Sequence, residues 1–257
     1  MNSAAVEGCD VVRGRSFGEV VPSVRLFGGQ KPDKQGSAFW MDPRNEARMG
    51  DALATLRDDR LVAFPTETVW GLAALARSPR AMERLRLWKG RDAQQPVSVL
   101  VSGKAALDSL GIETTPLVAR LIERFWPGPL TLVLPSAADW APGVPRADGA
   151  VGVRCSPHPL AAELVSRAER AGLGPLTATS LNRSGEVPAR HVEEARALCV
   201  GSADPALLEQ PGLDASDGAP SSVLDLVAEP PRLLRTGAIG LTDLAQCGLQ
   251  VDGALIS

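Results

Sequence analysis

The chain has 257 residues, of which 44% are apolar and 22% are charged, so it can bury one sizeable core. Its formal net charge of -3 argues against a surface covered in positive potential for nucleic acid. Four widely spaced cysteines and only two histidines argue against a disulfide framework and against a zinc site. No apolar run reaches the roughly 20 residues of a membrane span and no secretory-signal pattern opens the chain, so we expect a cytoplasmic protein with no membrane partner.

The chain divides into three parts by composition and hydrophobic periodicity. Residues 1–40 are rich in Gly, Ser and charge without periodicity, which predicts a flexible N-terminal extension. Residues 41–245 are predicted to form a single domain, and residues 246–257 a C-terminal tail. Apolar runs bounded by turn residues predict strands at 61–64, 97–101, 130–134, 150–154, 176–180, 222–227 and 232–235. Capping signals and helical periodicity predict helices that begin near residues 43, 79, 102, 116, 160 and 191.

These elements are interleaved but do not alternate strictly. The sequence therefore predicts an α/β fold in which one twisted, mixed, open sheet is flanked by helices, with ligands at the strand ends. The sequence contains neither the phosphate-binding loop of P-loop proteins nor the dinucleotide fingerprint. It contains no nucleophile elbow and no cluster of metal ligands either. An enzyme built on this chain must therefore use polar groups positioned at strand ends.

Polar segments follow the predicted strands and one predicted helix. Residues 65–72 bring two hydroxyls and a carboxylate to a strand end, where an ordinary polar turn is the simpler interpretation. Lys89 and Arg91 lie at a helix end, where cations are favoured by the backbone dipole but can also neutralise a polyphosphate. Ser180 and Asn182 alternate onto one side of the strand and loop at 177–185. Arg154 ends another strand.

Taken in order, these segments resemble the YrdC family. That family's pattern runs P-T-E-T-V-Y-G-L, K-x-R-P, P-G-P-L-T, V-R-x-P-x-H-P, P-S-A-N-x-S-G, S-T-V-V-D and L-R-x-G. The corresponding blocks lie here at residues 65–72, 89–91, 127–131, 153–159, 179–185, 221–225 and 234–237. The resemblance covers roughly residues 45–240, and seven blocks in the same order make coincidence an inadequate explanation.

The resemblance implies a single YrdC-like domain that acts as a nucleotidyltransferase. The implied reaction is the ATP-dependent synthesis of L-threonylcarbamoyl-AMP from L-threonine, bicarbonate and ATP, with release of pyrophosphate. Its product serves the threonylcarbamoyl-adenosine modification of tRNA, so a downstream tRNA threonylcarbamoyl transferase is the implied partner, with a capacity for weak RNA binding. Mg²⁺ is expected to arrive with ATP, without a protein-ligated metal.

The resemblance also assigns roles to individual residues. It implies a threonine site made of Thr68, Arg154, Ser180 and Ser221. It implies an ATP site made of Lys89, Arg91, Gln95, Asn182, Arg190 and Arg235. Catalysis is assigned to the charges of Lys89 and Arg91, with no covalent nucleophile.

The chain departs from the family pattern at several positions. Trp70 replaces the usual Tyr, and Leu181 replaces Ala. Asp92 stands where a proline usually follows Arg91 and adds a negative charge beside the expected phosphate site. Leu100 lies where some relatives carry a histidine that faces the substrate. The second, C-terminal domain of longer relatives is not expected here.

Two other functions remain open at this stage. One is a carbamoyl-adenylate reaction that uses carbamoyl phosphate in place of threonine and bicarbonate. The other is a non-catalytic RNA-binding relative of the same fold. The presence of both Arg154 and Thr68, the expected threonine contacts, argues against the first. The net negative charge argues against the second, and so do the retained ATP-site residues Lys89, Arg91, Asn182 and Arg235.

Overall fold

The structure of the protein is a computed structural model that describes residues 43–90, 95–201, 204–215 and 218–249. The predicted extension at 1–40 lies outside the described residues, and so do Arg91, Asp92 and residues 250–257 of the predicted tail. Within the described ranges, every helix is too short or too polar to cross a membrane.

Helices and short strands are interleaved through the first half of the chain. In order they are α1 (Pro43–Arg57), β1 (Val62–Phe64), β2 (Gly71–Ala73), α2 (Pro79–Lys89), β3 (Val99–Leu100), α3 (Ala106–Ser109), α4 (Pro116–Phe125), β4 (Leu130–Pro135) and β5 (Ala150–Arg154).

The second half begins with a long helix and ends with a short one. Its elements are α5 (Pro159–Arg170), β6 (Leu176–Thr177), β7 (Thr179–Ser180), α6 (Val192–Cys199), β8 (Ala206–Leu207), β9 (Ser222–Asp225), β10 (Arg232–Arg235) and α7 (Leu241–Ala245).

The α/β class is confirmed, but the described strands divide into two mixed sheets where the sequence predicted one. The smaller sheet has the order β7-β2-β1-β8, and the larger has the order β10-β9-β4-β5-β3-β6. The longest pairings lie at the centre of the larger sheet, where β4 runs antiparallel to β5 and parallel to β9. The core is continuous beneath both sheets and includes Phe64, Trp70 and Leu132, all fully buried.

The prediction of a helix that begins near residue 102 is wrong in its start, because α3 begins at Ala106 and has no side-chain cap. The two ends of α2 are formed as the capping signals indicate. The Ser78 side chain accepts a hydrogen bond from the backbone N–H of Ala81 at the start of α2. Gly90 ends the same helix in the left-handed region, with φ of 63°. This stop fixes where Lys89 lies, because it is the last residue of the helix.

The prediction of a single strand over 176–180 is wrong in one respect. Leu176 and Thr177 pair with β3 in the larger sheet, whereas Thr179 and Ser180 pair with β2 in the smaller one. The chain passes between the sheets at Ala178, whose N–H donates to the carbonyl of Ser98 at 2.6 Å. An apolar-polar pattern reports which residues are extended but does not report which sheet they join.

Candidate active site

The two sheets border a polar cleft of about 450 Å³. Eight of the ten predicted site residues line it: Thr68, Lys89, Gln95, Arg154, Ser180, Asn182, Ser221 and Arg235. Arg190 is exposed and is not among the residues that line the cleft. Arg91 lies outside the described residues. The cleft therefore gathers groups that are more than 160 positions apart in the chain, from Thr68 to Arg235.

Arg154 lies at the centre of the cleft's buried part, at the end of β5. The residue is only 8% exposed. Its Nη2 donates to Thr68 Oγ1 at 2.9 Å and to a carboxylate oxygen of Glu67 at 2.5 Å. Its Nε is buried and has no hydrogen-bond partner among the described residues. A buried donor without a partner is costly, so this nitrogen marks a position where a ligand oxygen is favoured.

The hydroxyl of Thr68 has a definite orientation. Thr66 Oγ1 donates to the carbonyl of Val69 at 2.7 Å, which uses its only hydrogen. The 3.0 Å contact between the two threonine hydroxyls must therefore be a donation from Thr68 to Thr66. Because Thr68 Oγ1 already accepts from Arg154, it has one acceptor position left and no donor. Thr68 thus presents a hydrogen-bond acceptor to the cleft.

Glu67 continues this network away from the cleft. Its second carboxylate oxygen accepts a hydrogen bond from Ser156 Oγ at 2.5 Å, and Ser156 Oγ accepts from the N–H of His158. His158 Nδ1 accepts from the N–H of Leu160 at the start of α5, so in the neutral ring Nε2 carries the hydrogen and faces the carbonyl of Asp214 at 3.3 Å. Burial lowers the pKa of His158 below its ordinary value.

Lys89 supports the opposite wall of the cleft. It is 4% exposed, and its Nζ donates to the carbonyls of Ser180 and Asn182 at 2.6 and 3.1 Å and to Asn182 Oδ1 at 3.2 Å. The amide nitrogen of Asn182 donates to the carbonyls of Arg183 and Glu186, both at 2.8 Å. Asn182 therefore uses its amide to shape the loop, and Lys89 ties that loop to the end of α2.

Arg235 brings a second guanidinium to the cleft. Its Nε and Nη2 donate to the carbonyl and the hydroxyl of Ser221, both at 2.9 Å, and the Ser221 hydroxyl contacts that of Thr131 at 3.2 Å. Desolvation by the surrounding atoms, and then the positive charge of Arg154, lower the pKa of Arg235. Two cations that repel each other across one cleft make it a favourable place for an anion.

The sequence did not assign several residues that the cleft uses. Glu67 belongs to the polar segment at 65–72, and nothing in the sequence links it to Arg154. Arg146 also lines the cleft, and Asp148 and then Asp225 accept its hydrogen bonds and raise the pKa of its guanidinium. No sequence pattern indicates a role for Arg146, because this residue lies in a loop rich in Pro, Gly and Asp, and such a composition predicts only an exposed loop.

The floor of the cleft depends on small side chains. Gly152 lies in the middle of β5, and a Cβ there would press on the side chains of Ser98 and Thr131. Leu100, the departure from the family histidine, lines the cleft and is 1% exposed. The small residue at position 152 leaves room for a ligand to lie against the sheet, between the polar side chains of Ser98 and Thr131 and the apolar side chain of Leu100.

The arrangement suits anions that must be held together. Buried Arg154 and the more accessible Arg235 flank hydroxyls, and Lys89 fixes the loop opposite them. Across the described ranges, His, Cys, Asp and Glu side chains form no group of three or more that could hold a metal ion. The groups that line the cleft can orient carboxylate and phosphate oxygens and stabilise negative charge.

Comparison with known families identifies the fold and this cleft's sequence blocks. The Sua5/YciO/YrdC family model, described as "Telomere recombination", matches residues 54–237. The chain belongs to this family. Its matched region runs from α1 to the end of the last cleft block at Gly237, so the family covers all of the described cleft residues.

Individual members of the family are similar over most of the chain. A threonylcarbamoyl-AMP synthase of Pyrococcus abyssi is 35% identical over 199 residues, which are 75% of this chain and 55% of that protein. A putative threonylcarbamoyl-AMP synthase of Mycobacterium leprae is 35% identical over 218 residues, which are 84% of this chain and 95% of that protein. The chain thus spans about half of the first relative and nearly all of the second.

A solved family structure has the same architecture. The crystal structure of P. abyssi Sua5 complexed with L-threonine superposes with a TM-score of 0.71 at 32% identity. The match covers 79% of this chain and 57% of that one. Sua5 is therefore a structural relative that was solved with an amino acid bound.

Proposed function

We propose that this chain synthesises L-threonylcarbamoyl-AMP from L-threonine, bicarbonate and ATP and releases pyrophosphate, as a nucleotidyltransferase. The observation that carries the proposal is the buried guanidinium of Arg154, whose Nε has no partner among the described residues, beside the acceptor hydroxyl of Thr68. The names of the relatives and the threonine complex of Sua5 support it.

The amino-acid end of the proposed site is formed by Arg154, Thr68, Ser180 and Ser221. A guanidinium suits a carboxylate because its N–H groups can bind both oxygens in one plane. The remaining acceptor position of Thr68 suits a donor such as the amino or hydroxyl group of threonine. This combination of a carboxylate binder and an acceptor fits an amino acid better than a simple organic acid.

The phosphate end of the proposed site has a different composition. Arg235, Gln95 and Arg91 are proposed to contact ATP directly. Lys89 supplies positive charge and keeps Asn182 and its loop in place. Mg²⁺ enters as part of the substrate MgATP, since the described cleft residues offer no carboxylate cage. Arg190 does not line the cleft, so any contact that it makes with ATP lies outside the lining described above.

The proposed chemistry needs no protein nucleophile. The amine of threonine captures bicarbonate with loss of water, or CO₂ with loss of a proton, to form a carbamate. A carbamate oxygen then attacks the α-phosphorus of ATP, and pyrophosphate leaves. Holding two anionic reactants in one cleft and stabilising the developing charge are the contributions that such a transfer requires. The proposed product passes to a tRNA threonylcarbamoyl transferase, in the cytoplasm.

The test is pyrophosphate release by the purified full chain, with the nucleotide product identified by mass. We expect release only when L-threonine, bicarbonate and ATP are all present. Arg154→Lys keeps the charge opposite Glu67 but loses the planar fork, so it should raise the KM for threonine by about tenfold or more and leave the KM for ATP nearly unchanged.

Arg170→Lys is the matched control, since Arg170 is an exposed residue of α5 remote from the cleft lining. It should leave both constants unchanged. Replacing threonine and bicarbonate by carbamoyl phosphate tests the carbamoyl-adenylate alternative. Pyrophosphate release with carbamoyl phosphate and none with threonine would overturn the proposal.

A further inference from the structure

One nitrogen of Arg154 is shared between the two ways in which a guanidinium can bind a carboxylate. A carboxylate takes either the edge formed by Nε and Nη2 or the edge formed by Nη1 and Nη2, so both edges include Nη2. Here both hydrogens of Nη2 are committed, one to Thr68 and one to Glu67. A ligand carboxylate can therefore bind two nitrogens of Arg154 only if Nη2 changes partner.

Glu67 is the partner that resembles such a ligand. It is itself a carboxylate and contacts Arg154 through a single oxygen at 2.5 Å. The neighbouring Nε, on the same edge as one Nη2 hydrogen, is buried and has no partner among the described residues. Glu67 thus fills half of a two-point carboxylate site, and an incoming carboxylate would satisfy both halves.

Glu67 is also anchored independently of Arg154. Its other carboxylate oxygen accepts from Ser156 Oγ at 2.5 Å, and Ser156 is 5% exposed. A carboxylate released from Arg154 therefore keeps a charge-assisted hydrogen bond, which lowers the cost of releasing it inside the protein.

We propose that Glu67 is a positioning residue that orients Arg154 and yields Nη2 to the carboxylate of the incoming amino acid. Glu67 keeps the guanidinium oriented at the cost of affinity, since each binding event must replace one carboxylate by another. The inference rests on the proposed function only in naming an amino acid as the ligand. The exchange itself requires only a small carboxylate.

The variant Glu67→Gln tests the exchange by equilibrium binding to the full chain. Glutamine keeps an oxygen for Arg154 but removes the charge, so it competes less well with a ligand carboxylate. We expect the Kd for L-threonine to fall by about five- to tenfold. The Kd for L-threonine amide, which lacks the carboxylate, should not change. Glu209→Gln is the control, because Glu209 pairs with Arg196 away from the cleft.

A second variant is expected to change the Kd for L-threonine in the opposite direction. It keeps the proposal testable if Glu67→Gln folds poorly. Ser156→Ala removes one anchor of Glu67 and makes that carboxylate depend more on Arg154. The Kd for L-threonine should then rise severalfold, with the melting temperature measured in parallel. If Glu67→Gln weakens threonine binding, or strengthens amide binding equally, Glu67 is only a structural partner of Arg154 and the exchange is refuted.

Acetate binding, measured for the wild-type chain and for Glu67→Gln, distinguishes a failure of this inference from a failure of the proposed function. If the wild-type chain releases pyrophosphate with threonine but Glu67→Gln leaves carboxylate binding unchanged, the function stands and the exchange fails. If there is no threonine-dependent reaction but Glu67→Gln strengthens acetate binding, the exchange stands and the proposed function fails.

Discussion

The indole N–H of Trp70 donates to Asp214 Oδ1 at 2.8 Å across 144 positions of the chain. Asp214 also accepts from the N–H of Val192 through its other oxygen, at the start of α6. The departure from the family tyrosine therefore comes with a specific partner. This pair ties the residue before β2 to the loop that follows β8.

Trp70→Phe should destabilise the fold more than Trp88→Phe does. Both tryptophans are buried, at 0% and 8% exposure, but Trp88 Nε1 has no hydrogen-bond partner in the described structure. Both variants lose ring volume, and Trp88→Phe also loses ring area beneath the Arg183 guanidinium, which lies 4.3 Å from the ring centroid. A larger loss in Trp70→Phe therefore reports the hydrogen bond to a charged group, worth about 1.5–3 kcal/mol. Urea unfolding of the two variants measures it, and equal losses would contradict the assigned role of Asp214.

Lys89→Met should affect both the loop at 180–186 and the use of ATP. Methionine fills a similar volume but leaves the buried carbonyls of Ser180 and Asn182 without a donor, which should cost about 1–3 kcal/mol of stability. The KM for ATP should rise more than the KM for threonine. Thermal unfolding and initial rates measure the two effects.

Lys104→Met provides the control for that variant. Lys104 is exposed, near the start of α3, and does not line the cleft. Its replacement should change neither stability nor either KM. A Lys89→Met protein with unaltered ATP kinetics would restrict Lys89 to a role in folding.

The buried His158 should make the fold less stable as the pH falls. Its folded-state pKa is lowered by burial, so below about pH 6.5 the unfolded chain binds a proton that the folded chain does not. Stability is complete above that pH and is lost as the pH falls towards the folded-state pKa. His158→Asn keeps an acceptor for the N–H of Leu160 and should flatten this dependence.

Melting temperatures between pH 5 and 8 measure the effect of His158. His191→Asn is the control, because the exposed His191 has no comparable burial. That variant should keep the wild-type slope. An unchanged slope in His158→Asn would show that other groups cause the dependence.

Gly237→Ala should destabilise the protein, whereas Gly50→Ala should stabilise it. A Cβ at Gly237 would overlap the backbone of Pro220 and Ser221 and push Ser221 away from Arg235, with an expected cost of about 1–3 kcal/mol or more. Gly50 lies in the exposed part of α1 with nothing within 4 Å of a new Cβ, so alanine should add about 0.5–1 kcal/mol. Chemical unfolding of both variants tests the pair.

Much of the fold could be predicted because its signals are local. The strands Ala150–Arg154 and Arg232–Arg235 have the predicted bounds, since turn residues and charges end each apolar run. Strand β2 was not predicted, because residues 69–76 are almost continuously apolar and buried and show no period. The division into two sheets was also missed, because pairing between distant segments leaves no local signal.

The cleft was predicted largely through ordered blocks of sequence. Those blocks named the residues that line it, but not their partners. No pattern near Glu67 indicates that it contacts Arg154 and Ser156, which lie 87 and 89 positions further along the chain. Likewise, the amide of Asn182 was expected to face ATP, and the structure engages it with Lys89 and its own loop.

The chain passes from the larger sheet to the smaller one at Ala178, and this connection joins the two walls of the cleft. Thr177 strengthens it, since its buried hydroxyl donates to the carbonyl of Leu72 and accepts from the N–H of Ala74 on the opposite sheet. The two sheets cannot separate at Thr177 and Ala178 without breaking these hydrogen bonds, whereas their outer edges are not held in this way. Thr179 and Ser180 follow this connection directly, so we expect them to move less relative to the floor than residues at the opposite rim do when a ligand binds.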